Sequence, residues 1–274
     1  MTSATVLPAA HPRSAAPRLR DQLSSELIKL WTWPAARLLG LTAVVLAVLG
    51  SAAFVLSTPV TTGQAVAELG LHDRLTISLL GVDLANVTLI VWAVLAVTGE
   101  LTSGQIALTL QVTPRRNRVL AAKLGVLLGV AVAGSVVATL LAFGAGQLAL
   151  LSQGVTLPSI GDPGLVRLVL GTMLMIPVHV AFAATLAFCL RSGSLAFVGV
   201  FTIMCLPSLT RLLPTDLATP AHWLLPGSSL HTLSGASVPG DADYTAVWAA
   251  ALVLVGWVTV LVALAMRSFR RLDL

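Results

Sequence analysis

The sequence predicts an all-α membrane protein with six transmembrane helices, an N-terminal amphipathic interfacial helix, and cytoplasmic N- and C-termini. Three observations carry this. Charged residues are only 10% of the 274-residue chain and hydrophobic residues 57%, whereas soluble domains are about a quarter charged. The apolar residues fall into runs of about 20, enough to cross a hydrocarbon core of ~30 Å as helix. The cations gather in alternate connections, as the positive-inside rule requires. The runs are too long, and alternate too little, for β-barrel strands.

Residues 1–17, rich in Pro, Ala and Ser, are expected to be disordered. Over 18–34, RLRDQLSSELIKLWTWP, Leu19, Leu23, Leu27, Leu30 and Trp31 recur at helical spacing, while Gln22, Ser25, Glu26 and Lys29 share another face. Such a helix, ending in Trp, suits the interface plane, and Pro34 turns the chain into the membrane domain, 35–274. The six apolar runs are 38–57, a stretch within 75–99, 119–151, 165–190, 194–213 and 246–266.

With the N-terminus inside, thirteen of the sixteen cations face the cytoplasm, leaving Arg74, Arg167 and Arg211 outside. Most acids take the outer side. The net charge of +5 is therefore topological, and nucleic acid is not an expected partner. Cys189 and Cys205 lie in apolar runs and read as packing residues. No metal site is expected: His222 and His231 have no third ligand at sensible spacing.

Between the second and third runs stands TSGQIALTLQVTPRRNRVLAAK, with four cations in nine residues. Glu100 closes the second span just before it. A short helix is expected, Ser103 its candidate N-cap and Pro114 its stop. Anchoring by cations alone leaves the apolar Ile106, Leu108, Leu110 and Val112 unexplained. An exposed apolar element in a loop implies a docking partner.

These features, in this order, resemble the permease subunits of type-2 ATP-binding cassette exporters, the ABC-2 family. That family combines an amphipathic connecting helix, six spans, and a cytoplasmic coupling helix between spans two and three. Here the matching elements are SSELIKLWTWP, Glu100, Gly104, Thr113-Pro114, Arg115 and Lys123. The resemblance implies a non-catalytic export subunit in a bacterial cytoplasmic membrane, whose coupling segment, 100–118, docks on a separate ATPase dimer. Glu100, Gly104, Ile106, Leu108, Pro114, Arg115, Arg116 and Arg118 would make that contact. ATP and Mg would belong to the ATPase, since the chain has no Gly-x-x-x-x-Gly-Lys-Ser/Thr. A second permease chain, identical or related, would complete the pathway, with membrane lipids around it. Export direction follows from the resemblance alone.

Polar groups within spans are costly and often functional, which singles out Asn86, Thr88, His179 and Thr202 as pathway candidates. For His179, packing is the favoured role, through backbone groups freed by Pro177. Gly125 and Gly129 permit close helix approach. The outer segment 214–245 contains HWLLPGSSLHTL, too apolar for a linker, and is expected to form a re-entrant or interfacial lid. Apolar spans suit a hydrophobic or amphipathic substrate: a drug, an antibiotic or a lipid. The rival readings are a secondary transporter, which would use inverted repeats and midplane charges, and an intramembrane hydrolase. Glu occurs only at 26, 68 and 100, without a paired site, which weakens the second.

Overall fold

Runs of Leu, Val and Ala can satisfy their backbone groups away from water only by bonding within their own segment, and helix is the structure that does so. The computed structural model describes residues 19–112, 115–156, 158–159, 161–212, 214–241 and 244–271, and no strand occurs among them. The expected disordered stretch 1–17 and the expected coupling residue Pro114 lie outside the described residues.

Helix α1 (Leu19–Thr32) leads into α2 (Pro34–Thr62), with Pro34 at the first position, where its missing N–H costs nothing. Next come α3 (Leu71–Leu79) and α4 (Gly81–Thr102), which follow each other almost without a break. A short α5 (Gln105–Val112) precedes α6 (Arg116–Ser152) and α7 (Pro163–Leu190). Then follow α8 (Gly193–Leu209), α9 (Thr215–Leu224), α10 (Pro226–Ser234) and α11 (Val247–Arg270). α4 and α7 form the centre of the bundle, walled by α2 and α6 on one side and by α8, α10 and α11 on the other.

Five segments are long and apolar enough to cross a membrane: α2, the α3–α4 pair, α6, α7 and α11. The chain thus has the make-up of a multi-pass membrane protein. The fifth expected run is shorter than the sequence suggests. Pro207 and the 3-10 turn Thr210–Leu212 end α8 at 17 residues.

Close helix approach falls elsewhere than expected. Gly129 faces open space and Gly125 meets only Leu23. The tight crossings are at Gly81, where a Cβ would overlap the Ala47 carbonyl and the Ser51 backbone of α2, and at Gly146, pressed on Ser78. Gly171 lies against the Ser234 backbone in the same way. All three admit a neighbouring main chain, which the spacing of glycines along one helix does not reveal.

The orientation of α1 is a point that periodicity leaves open. Its polar stripe turns inward, with Gln22 and Glu26 buried, while Leu27, Ile28 and Trp31 are exposed. In a lipid surround that arrangement is the economical one. Apolar groups meet the membrane and polar ones find partners in the bundle.

Candidate functional site

The two ends of the bundle differ in chemistry. At the basic end, α1, α4 and α6 converge on four charges. Lys123 Nζ lies 2.6 Å from Glu100 Oε1 and 3.1 Å from Glu26 Oε2. Lys29 reaches Glu26 on its own helix and stands 3.6 Å from Glu100. Two cations against two anions leave the cluster neutral, which a site this buried needs. Side-chain exposure is 5% for Lys123, 8% for Glu26 and 13% for Glu100. Glu100, expected in the docking contact, ties α4 to α6, with α1 joined through Glu26.

Beside this cluster, Gly104 takes a left-handed conformation (φ 73°) and turns the chain into α5. Ile106 and Leu110 point into the core, four residues apart on one face. Gln105, Leu108 and Gln111 face out, Leu108 being 63% exposed. The two apolar residues expected to dock together are therefore split, Ile106 seating the helix and Leu108 facing outward.

The arginines after α5 also divide. Arg115 is exposed. Arg116 Nη1 donates to the carbonyls of Arg270 at 2.8 Å and Phe269 at 3.4 Å, capping the end of α11, where carbonyls lack partners and a cation is favoured. Arg118 is half-buried and already engaged. Arg270 Nε returns the link to Asn117 Oδ1 at 2.9 Å. Arg191 donates to the Ser268 carbonyl at 3.3 Å, so the ends of α6, α7 and α11 are held as one unit.

In the interior, Asn86 Nδ2 lies 3.1 Å from His179 Nδ1, both side chains buried, with the His179 ring edge-on to Phe182. Proline does free a carbonyl here, but His179 does not take it. Pro177 removes the N–H that would bond the Met173 carbonyl, and Ser135 of α6 donates to it instead at 2.7 Å. The other two pathway candidates stand apart. Thr88 bonds back to the Leu84 carbonyl of its own helix, and Thr202 is exposed on α8. Asp83 is exposed in the first turn of α4.

At the opposite end, α9 and α10 form a hairpin whose tip is buried at Leu225 and Pro226. Trp257 Nε1 donates to the Leu224 carbonyl at 2.9 Å, which fixes the depth of that tip. Trp257 lies ten residues along α11 from Val247, about 15 Å down its axis. Broken backbone at such depth is tolerated where protein groups satisfy it. Around the tip, Thr210 donates to the Pro207 carbonyl at 2.7 Å, so its oxygen accepts from His222 Nε2 at 2.9 Å. His222 Nδ1 then accepts from Ser228 Oγ at 3.2 Å. Arg167 Nη2 donates to the Thr232 carbonyl at 2.6 Å and pins the far end of the hairpin to α7. None of these partners is predictable from spacing, though His222 and the run of serines after Pro226 mark the region as more than a linker.

Among the described residues there is no group of three or more His, Cys, Asp or Glu that could hold a metal ion. No protein-family model matches the chain, and no curated protein does.

Proposed function

We propose that this chain is the membrane-spanning permease subunit of an ABC-2-type exporter, working with a separate ATPase dimer and a second permease chain. It has six spans with both termini in the cytoplasm and moves a hydrophobic or amphipathic substrate. The observation that carries the reading is α5. An eight-residue helix at the basic end buries Ile106 and Leu110 in the bundle and presents Gln105, Leu108 and Gln111 outward. A large apolar side chain held outward on a seated helix, among cations, is what a docking knob requires.

The sixth span comes from α8 and the turn that continues it. Seventeen helical residues rise about 25 Å, and the three of the 3-10 turn add about 6 Å, matching a core of ~30 Å. Cations concentrated at one end then set both termini inside. In this reading, closure of the ATPase dimer pushes on α5. The Glu100–Lys123 pair carries the displacement into α4 and α6 together, and the bundle shifts between inward- and outward-facing states.

Affinity purification of the tagged chain from native membranes tests this, with Leu108→Asp as the decisive variant. Leu108 is exposed, so the fold is expected to survive, whereas scrambling 104–112 would also unseat Ile106 and Leu110. The expected result is a Walker-motif ATPase subunit and vanadate-sensitive ATP hydrolysis in the eluate, both lost with Leu108→Asp. A folded chain that purifies alone and still transports in vesicles would instead make it a secondary transporter.

A further inference from the structure

We propose that the basic end of α11 holds an anionic phospholipid with two phosphates, of the diphosphatidylglycerol class, in a pair of adjoining grooves. Arg191, Arg267 and Arg271 line one groove of about 350 Å³, walled by Leu264 and Ser268. A second, of about 480 Å³, lies between Arg267, Arg270 and Arg271 and the apolar Ala263 and Met266. Arg267 and Arg271 stand in both, so a ligand can engage the two grooves at once. No acid lines either groove among the described residues.

Depth along α11 argues for lipid. Arg267 is twenty residues beyond Val247, about 30 Å along the axis, which is the thickness of the hydrocarbon core. The guanidinium groups therefore stand at headgroup level. Leu264, 50% exposed, and Val260, 56% exposed, continue the walls downward where acyl chains lie. An acidic protein surface would match the charge but would have no use for those apolar walls.

The site is also built rather than incidental. Arg191 has a left-handed backbone (φ 53°), and its Nη2 bond to the Ser268 carbonyl fixes its direction. Ser268 Oγ in turn donates to the Phe188 carbonyl at 3.3 Å. Arg270 is oriented by its bond to Asn117. Guanidinium forks pair with phosphate oxygens two bonds at a time. Basic pockets at the ends of membrane helices suit lipids of this kind, and four arginines suit two phosphates better than one. The proposal needs only a membrane-embedded bundle and does not depend on the exporter reading.

Native mass spectrometry of the purified full-length chain in detergent tests it, titrating diphosphatidylglycerol, phosphatidylglycerol and phosphatidylethanolamine with matched acyl chains. One diphosphatidylglycerol is expected to be retained per chain in preference to the other two. The Arg267→Gln/Arg271→Gln variant removes two exposed side chains and leaves the Arg191–Ser268 link intact. It is expected to bind roughly thirty-fold more weakly, from a loss of about five-fold per basic residue near a lipid surface. Arg115→Gln, an exposed arginine at the same end outside both grooves, is expected to bind as the parent does. Equal retention of the three lipids, or equal weakening by Arg115→Gln, would overturn the proposal. So would unchanged lipid binding together with loss of a co-purifying acidic protein, which would assign the grooves to that protein.

Discussion

At Lys123 a single ammonium answers two carboxylates, Glu26 and Glu100, within an almost fully buried cluster. Replacing it with Met leaves two facing anions and only the half-exposed Lys29 to balance them. Breaking a buried pair from one side costs about 3–5 kcal/mol, so Lys123→Met should lower the unfolding temperature in detergent sharply, and a Glu26→Gln/Lys123→Met double variant should recover part of the loss. A double variant no better than the single would mean that the pairing contributes little. One turn earlier on the same stripe of α1, Gln22 has the opposite character. Its amide is buried with neither atom partnered among the described residues. Since an unsatisfied buried group costs about 1–3 kcal/mol, Gln22→Leu should stabilise the chain in the same assay. The residue types of this cluster were readable in the sequence as the polar face of α1, Glu100 and the Lys opening α6. Their meeting was not, because 97 residues separate Glu26 from Lys123, and no local period reports on a contact of that range.

Among the elements, helices with strong apolar runs were legible to within a few residues: α2, α6 and α7 contain the stretches that composition marks out, and α11 begins one residue after its own. What escaped was decided by neighbours. The window expected for the second span, 75–99, takes in only the second half of α3, because Asp73 and Arg74 dilute the hydropathy of its first turn, while α6 covers the helix through Gly146. The inward polar face of α1 escaped because amphipathicity gives two faces and does not say which one meets the bundle. The hairpin α9–α10 was anticipated as a lid, but its depth depends on Trp257, a residue of another helix. That depth has a consequence for stability. Trp257→Phe keeps an aromatic ring but removes the pyrrole half of the indole with its N–H, leaving the Leu224 carbonyl without its donor. A loss of about 1–3 kcal/mol is expected, together with faster protease cleavage within 214–241 if the tip loosens. A variant as resistant as the parent would show that the hairpin is held by packing alone.

For the whole molecule, the contacts between helix ends trace a path that α8 must complete. α7 arrives at the basic end, where Arg191 meets Ser268. α11 finishes there too, its last carbonyls taken by Arg116. At the other end, Arg167 near the start of α7 holds Thr232 of α10, and Thr245, just before α11, bonds the Thr232 hydroxyl. The chain therefore leaves the basic end after Arg191 and re-enters α11 from the lid end, and α8 is the element between them. Its 17 residues fall short of a span by length alone, and the six-span proposal has it cross together with the turn that follows. On that proposal an even number of crossings lies between α5 and the C-terminal end of α11, and α5 and the lid lie on opposite sides. Single cysteines test it in a background lacking Cys189 and Cys205: Gln111→Cys on α5 and Ala236→Cys beyond α10, both at exposed positions. In intact cells an impermeant maleimide should label Ala236→Cys, while Gln111→Cys should react only after permeabilisation. Labelling of both from outside would mean that α8 turns back within the membrane, and the six-span reading would fall with it. Labelling of Gln111→Cys alone would invert the protein and put α5 out of reach of any cytoplasmic ATPase.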